Sequence, residues 1–312
     1  RLSEGGVALR VAPAPAPVPA AATAKAPAVP AAAEAWTPKP VTPAELPRYD
    51  MPAKAGVRVL VAVKQVAKLG DDFAFTDDGT DVKEEFFDLQ LNEWDDTALE
   101  AALQLVEKLG GGEVVAVTIG PERTEDSLRR ALAKGAHRGV RVWHESLQGA
   151  DPVTVARALA GVARLEEADL VLAGAQSSDH AQGATGSALA AILGWPHAAV
   201  LLAAEWDGQS TLVATRELEG GMMHRFEMAS PAVLTIQTGA NEPRYATMRM
   251  IKEAKAKPLA VVDGAGVRAQ AGGYVVRRMF VPEVAGRAEM LAGDAAEVAA
   301  KVAAIIREKR GA

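Results

Sequence analysis

Two hydrophobic periods take turns along most of this chain. Val57 to Lys64 is a nearly unbroken apolar run after Gly56, the pattern of a strand buried on both faces. From Asn92 to about Leu109, Leu99, Leu103 and Val106 recur at helical spacing, and Asn92 stands where a cap is wanted. The unit then repeats. Val114 to Ile119, Val140 to Trp143 and Leu170 to Ala173 predict strands, while Pro121 to Lys134, Pro152 to Leu165 and about His180 to Leu193 predict helices. Strands separated by amphipathic helices imply an α/β fold with a parallel sheet covered on both sides.

Three stretches break the rhythm. Phe73 and Phe75 alternate with polar neighbours before the turn Asp77-Asp78-Gly79, which predicts a short hairpin excursion. The strands from Ala198 to Ile236 have no helices between them, so they extend the sheet antiparallel or bend away as a β appendage. Within them Gly220-Gly221 supplies the free torsions of a reversal, and Ala232 to Ile236 reads as a buried strand. After an irregular Gly264 to Gly286, Asp294 to Arg310 predicts a last helix whose stripe of Val298, Val302, Ile305 and Ile306 needs a surface to cover it.

Composition adds an arm and removes several chemistries. Ten of the eighteen prolines lie in the first fifty residues, in an Ala-Pro alternation that forms neither helix nor ladder, so residues 1–54 read as an extended, disordered leader, with the folded unit starting near Met51. There is no cysteine, which excludes disulfides, thiolate-held clusters and thiol nucleophiles, and fits a reducing, cytoplasmic location. The net charge of −6 is spread among interspersed acids and bases, which disfavours a nucleic-acid partner. No apolar run has the length of a membrane span.

Candidate chemistry concentrates in two places. Gly174 to Gly186 (GAQSSDHAQGATG) follows a strand and is small-residued and rich in hydroxyls, as backbone-mediated phosphate binding wants. Neither a GxxxxGK[ST] nor a GxGxxG motif is present. The second place is Val213 to Ala256, where Asn241-Glu242-Pro243-Arg244-Tyr245 leads into Met248 and Met250 beside Arg249 and Lys252. Methionines among cations on a loop pack adaptably against a partner, so this region reads as docking surface. By residue chemistry alone Trp94 is a packing anchor, and Arg216 with Glu217 is a surface ion pair worth at most about 1 kcal/mol. The acids between Asp71 and Glu100 read as a solvated hairpin and helix start, and the five histidines lack paired metal spacing. No nucleophile–base constellation stands out, so the chain is read as no enzyme in the bond-making sense.

These segments together resemble the electron transfer flavoprotein beta subunit family. The likeness is carried by VRVLVAVKQVA, LNEWDD at Leu91 to Asp96, SSDHAQGATG, Arg-Glu-x-acidic-Gly-Gly, Pro-Ala-Val-Leu-Thr, Asn-x-Pro-Arg-Tyr-Ala and VRRMFVPEVAGRAEM, in order from about Val57 onward. The sequence departs from the family at His224 and Phe226, and at Leu69, where an aromatic is usual. The resemblance implies an adenine-nucleotide-binding parallel sheet over 55–258 with an antiparallel β extension, a partner-recognition loop at 240–253, and a C-terminal helical arm over 259–312 that contacts an alpha subunit. It implies AMP in this chain, with Ala62, Asn92 and Ile119 toward the adenosine and Asp179, Gly183, Ala184 and Thr185 toward the phosphate. It implies FAD held mainly by the alpha subunit of a heterodimer, with Trp94 against the flavin edge. Arg216, Glu217 and Met248 would then meet flavin-containing dehydrogenases. The rival reading is a stand-alone adenine-nucleotide-binding protein of stress-protein or hydrolase type.

Overall fold

The computed structural model describes residues 41–267, 276–281 and 290–311. Expectations for residues 1–40, and for most of the Gly264 to Gly286 connector and the VRRMFVPEVAGRAEM segment, lie outside them. The chain runs through β1 (Arg58–Ala62), a hairpin of β2 (Gln65–Lys68) and β3 (Asp88–Leu91), α1 (Glu93–Lys108), β4 (Glu113–Ile119), α2 (Glu125–Lys134), β5 (Arg138–Trp143), α3 (Pro152–Leu165), β6 (Leu170–Gly174) and α4 (Thr185–Leu193). Then follow β7 (His197–Leu201), β8 (Ala203–Trp206), β9 (Thr211–Leu218), β10 (Met222–Ala229), β11 (Ala232–Ile236), α5 (Met248–Ala254), β12 (Leu259–Asp263) and α6 (Ala295–Gly311).

Seven strands form one sheet in the order β12-β5-β4-β1-β6-β11-β7. Every pairing in it is parallel. Alternation along β1 explains the two layers. Val59 and Val61 join Leu99, Leu103, Leu128 and Leu132 of α1 and α2 in one core. Leu60 points the other way and joins Leu159, Val162, Leu189 and Ile192 of α3 and α4. Each such side chain taken fully out of water stabilises the fold by roughly 1.5–3 kcal/mol.

The helix-free region divides in a way its sequence left open. β7 and β11 enter the main sheet, parallel rather than antiparallel, while β8, β9 and β10 bend away as a separate three-stranded antiparallel sheet. Residues 259–263, assigned by sequence to the terminal arm, form the edge strand β12 beside β5. The helix expected from His180 begins only at Thr185, because Ala181 and Gly183 hold left-handed torsions that end any helix there. Met248, placed by sequence on a loop, is the first residue of α5, which Thr247 caps by accepting Met250 N–H at 3.3 Å.

The leader boundary at residue 54 also moves back. From 41 onward the chain is extended, as its prolines require, but it is not free in solvent. Ala44 is buried and donates its N–H to Arg157 O at 3.0 Å. Gly161 and Gly266 make room for it: a Cβ on Gly161 would stand 2.6 Å from Ala44 O, and one on Gly266 would strike Glu45 O. Tyr49 ends the strap by donating to Glu166 Oε1 at 2.5 Å.

That tyrosine reaches a buried ion cluster at the amino-terminal edge of the sheet. Glu166, fully buried after α3, bonds both terminal nitrogens of Arg138 and lies 3.3 Å from Arg58 Nη1. Glu113 completes the group, meeting Arg58 Nε at 2.7 Å and Arg138 Nε at 2.6 Å. Burial and the Glu166 carboxylate push the Tyr49 hydroxyl well above its ordinary value.

Candidate functional site

The strand order reverses beside β1: the chain builds outward to β4 and β5, then α3 carries it back to β6 on the other side. Ligands of open α/β sheets sit at the carboxyl ends of the strands flanking such a switch point. Here those ends are Ala62 on β1 and Gly174 on β6, with Ile119 closing β4 next to β1.

Three ties join the two sides of this crevice. Asp95, buried in the first turn of α1, accepts Lys64 N–H on Oδ2 and Gly174 N–H on Oδ1, both at 2.9 Å. Asn92 occupies the cap position of α1 but caps nothing with its side chain. It reaches across instead, donating to Gln176 O at 2.9 Å and accepting Ser178 N–H at 3.3 Å. The Lys64 ammonium completes the set, 2.7 Å from Asp179 Oδ1 and 3.2 Å from Ser177 Oγ. Burial works against the Asp179 carboxylate, but hydrogen bonds from His180, Lys64 and Ser177 outweigh it and hold the group well below the usual carboxylate range.

Beyond these ties the loop delivers the start of α4. The cap position of this helix is Ala184, which has no capping side chain, and among the described residues no side chain meets its first-turn amides. Gly183 has φ of 59°, and Gly186 lies so close to Thr235 that a Cβ would collide with its methyl group. Uncapped amides, the positive end of the helix dipole and the hydroxyl of Thr185 are the donor set of a phosphate monoester site. The residues therefore fit the phosphate end of an adenine nucleotide, while Ala62 and Ile119 are half-buried, apolar positions at the mouth of the sheet. Trp94 is half-buried in α1, its Cβ against Gly174.

Thus the structure brings Ala62, Asn92, Trp94, Ile119, Asp179, Gly183, Ala184 and Thr185 to one edge of the sheet. Arg216, Glu217 and Met248 are elsewhere. On the β9–β10 hairpin Arg216 stacks over the Phe226 ring at 5.6 Å and lies 3.5 Å from His224 Nδ1. Glu217 is exposed with no ion pair among the described residues, so the expected Arg216–Glu217 pair is not formed; neighbours in a strand face opposite sides. Met248 is 81% exposed beside Tyr245 at 89%, and Ile251 on α5 is exposed as well. This apolar tip is held on a rigid base. Arg244 chelates Glu100 (Nε to Oε2, 2.8 Å) and Glu107 (Nη1 to Oε1, 2.6 Å), and Asn241 donates to Thr97 O at 3.0 Å.

Sequence reasoning missed Lys64, Asp95 and Glu100. It read the acids as solvated, yet Asp95 and Glu100 are buried. The signal was the Asn92-x-x-Asp95 spacing, which stacks both polar groups on one face of a first turn. Among the described residues, no group of three or more His, Asp or Glu side chains is arranged to hold a metal ion, and no helix is long and apolar enough to cross a membrane.

A doubly wound sheet with a tied crevice and an uncapped helix at its switch point defines an α/β protein of the open-sheet class. Comparison with known proteins narrows this. The model of the electron transfer flavoprotein domain matches residues 82–267. The electron transfer flavoprotein subunit beta of Methylophilus methylotrophus is 48% identical over 265 residues, spanning 82% of this chain and 100% of the relative. The Bradyrhizobium diazoefficiens subunit beta is 36% identical over 249 residues (79% and 97%), and that of Sus scrofa 33% over 256 residues (81% and 98%). The chain belongs to the electron transfer flavoprotein beta subunit family.

Proposed function

We propose that this chain is the nucleotide-holding, partner-docking half of an electron-carrying heterodimer. AMP sits in the switch-point crevice as a structural ligand. FAD is held mainly by an alpha subunit and, when bound, supplies the redox chemistry by accepting and passing on electrons. The observation that carries this reading is the tied crevice with its uncapped α4 in a chain of this family. Asn92, Ala62 and Ile119 frame the adenosine, and the α4 amides, Gly183, Ala184 and Thr185 receive the phosphate. Asp179 acts through Lys64 and fixes the loop. Trp94 faces the flavin edge at the alpha-subunit side, and the C-terminal arm embraces that subunit. No step of bond-making chemistry is assigned to this chain.

Co-expression with an alpha subunit tests the pairing. A yellow one-to-one heterodimer that releases one AMP on denaturation is expected; a colourless homodimer that turns over ATP would instead favour the stand-alone nucleotide-binding reading.

Docking of dehydrogenases is assigned to the Tyr245–Met248–Ile251 tip, with Glu217 and Arg216 on the hairpin. Met248 is too exposed to matter for folding, so Met248→Glu should leave the melting temperature unchanged. An apolar anchor lost from an interface costs at least tenfold, and kcat/KM for electron transfer from a partner dehydrogenase should fall by about that much. Unchanged kinetics would remove the tip from the docking surface.

A further inference from the structure

We infer that Asp95 is the positioning residue of the crevice: by accepting N–H groups from both Lys64 and Gly174 it holds the ends of β1 and β6 at a fixed separation and governs how long the nucleotide stays. The inference rests on the nucleotide reading above.

Its geometry is unusual for an acid in a first helical turn. Such groups ordinarily face solvent and favour their own helix end. Asp95 turns inward, and its two oxygens are used on opposite sides of the switch point, one per strand end. A Cβ on Gly174 would lie 2.6 Å from Asp95 Oδ1, so the strand end is in contact with the carboxylate itself. Because the Lys64 side chain continues to Ser177 and Asp179, moving Lys64 moves the loop that leads to α4.

Only the ionised carboxylate accepts fully on both oxygens, since a protonated acid converts one of them to a donor. Burial pushes the Asp95 carboxyl up to about 6, against the pull of Asn92, the two backbone N–H groups and the Lys64 charge. The groups that face it are Asn92 on its own helix, the Lys64 ammonium beyond β1, and the Gly174 N–H on β6. Asp179 and His180 act on it through Lys64. The linkage sign is that of a raised carboxyl: its contribution to global stability is fully present below the unfolded value of 3.8 and is lost as pH rises through about 6. The crevice responds in the opposite sense, because both ties are complete only above that range.

The test uses the full chain, with AMP as probe and Asp95→Asn as variant, whose amide accepts on one oxygen only. At pH 7 the variant should release AMP about tenfold faster, the loss expected for one charge-assisted hydrogen bond. In the native chain, exchange protection at the Lys64 and Gly174 amides should drop as pH falls from 7 to 5, with faster release of AMP. The variant's release should follow only the titration of the AMP phosphate itself. Equal release rates and equal pH profiles in the two chains would overturn the inference. If the variant does not fold, pH-independent protection at Lys64 and Gly174 in the native chain overturns it by itself. A native chain whose amides titrate as described but which binds no AMP would sink the nucleotide reading and leave the tie standing.

Discussion

Glu166→Ala should destabilise the fold by about 3–5 kcal/mol, the loss expected when one member of a buried ion group is removed and its partners stay charged. Glu166 is fully buried and is shared by Arg138, Arg58 and Tyr49, while the side chains of the two arginines are 6% and 4% exposed. Without it, Arg138 keeps only Glu113, and the Tyr49 hydroxyl loses its acceptor and is left beside two guanidinium groups. The strap from 41 to 49 should loosen in the same variant, because its last anchor is gone. Urea unfolding measures the first effect and exchange of the Ala44 amide the second. A double variant, Arg138→Met with Glu166→Leu, discriminates the cause: it should recover much of the loss, since two well-packed apolar residues need no counter-charge. If the single substitution costs less than about 1 kcal/mol, the cluster contributes no more than a surface pair.

The second large effect is expected at the other edge. Gly174→Ala places a methyl group 2.5 Å from Trp94 Cβ, 2.6 Å from Asp95 Oδ1 and 2.7 Å from the Trp94 carbonyl carbon. Two of these three atoms belong to side chains gripped by α1, and the third is backbone, so none can swing aside. Overpacking of this kind costs typically about 1–3 kcal/mol. Its local consequence should be larger than its global one, because relief requires α1 to back away from β6 and open the crevice. A chain carrying Gly174→Ala should purify with little bound AMP and melt lower than the native protein. Full nucleotide content in that variant would show that the crevice is not where the ligand sits.

Much of this architecture was legible from period alone. The two-faced burial of β1, the proline start of α3 at Pro152 and the reversal at Gly220-Gly221 each follow from local chemistry that nothing distant overrides. What escaped was set by distance. Glu166 and Tyr49 are 117 residues apart, and Arg244 and Glu100 are 144 apart. A charged residue reads as solvated until its partner is known, so Asp95, Glu100 and Glu166 were all assigned to the surface or passed over. The route of β7 and β11 into the main sheet escaped for a related reason. An inserted three-stranded sheet separates them, and no helix between them announces a parallel crossover. The candidate crevice was found through its small residues and hydroxyls, whereas the ties that hold it in shape lie in residues of ordinary appearance.

The clamp of Arg244 on Glu100 and Glu107 makes α1 a common ruler for two surfaces. Its first turn fixes the crevice, and its second and fourth turns fix the height and heading of α5. An added residue between Glu93 and Glu100 would swing the later carboxylates about 100° around the axis, out of reach of the guanidinium. A single-residue slip between Asp95 and Glu100 would therefore leave the crevice end of α1 in register and turn the end that carries α5 the wrong way.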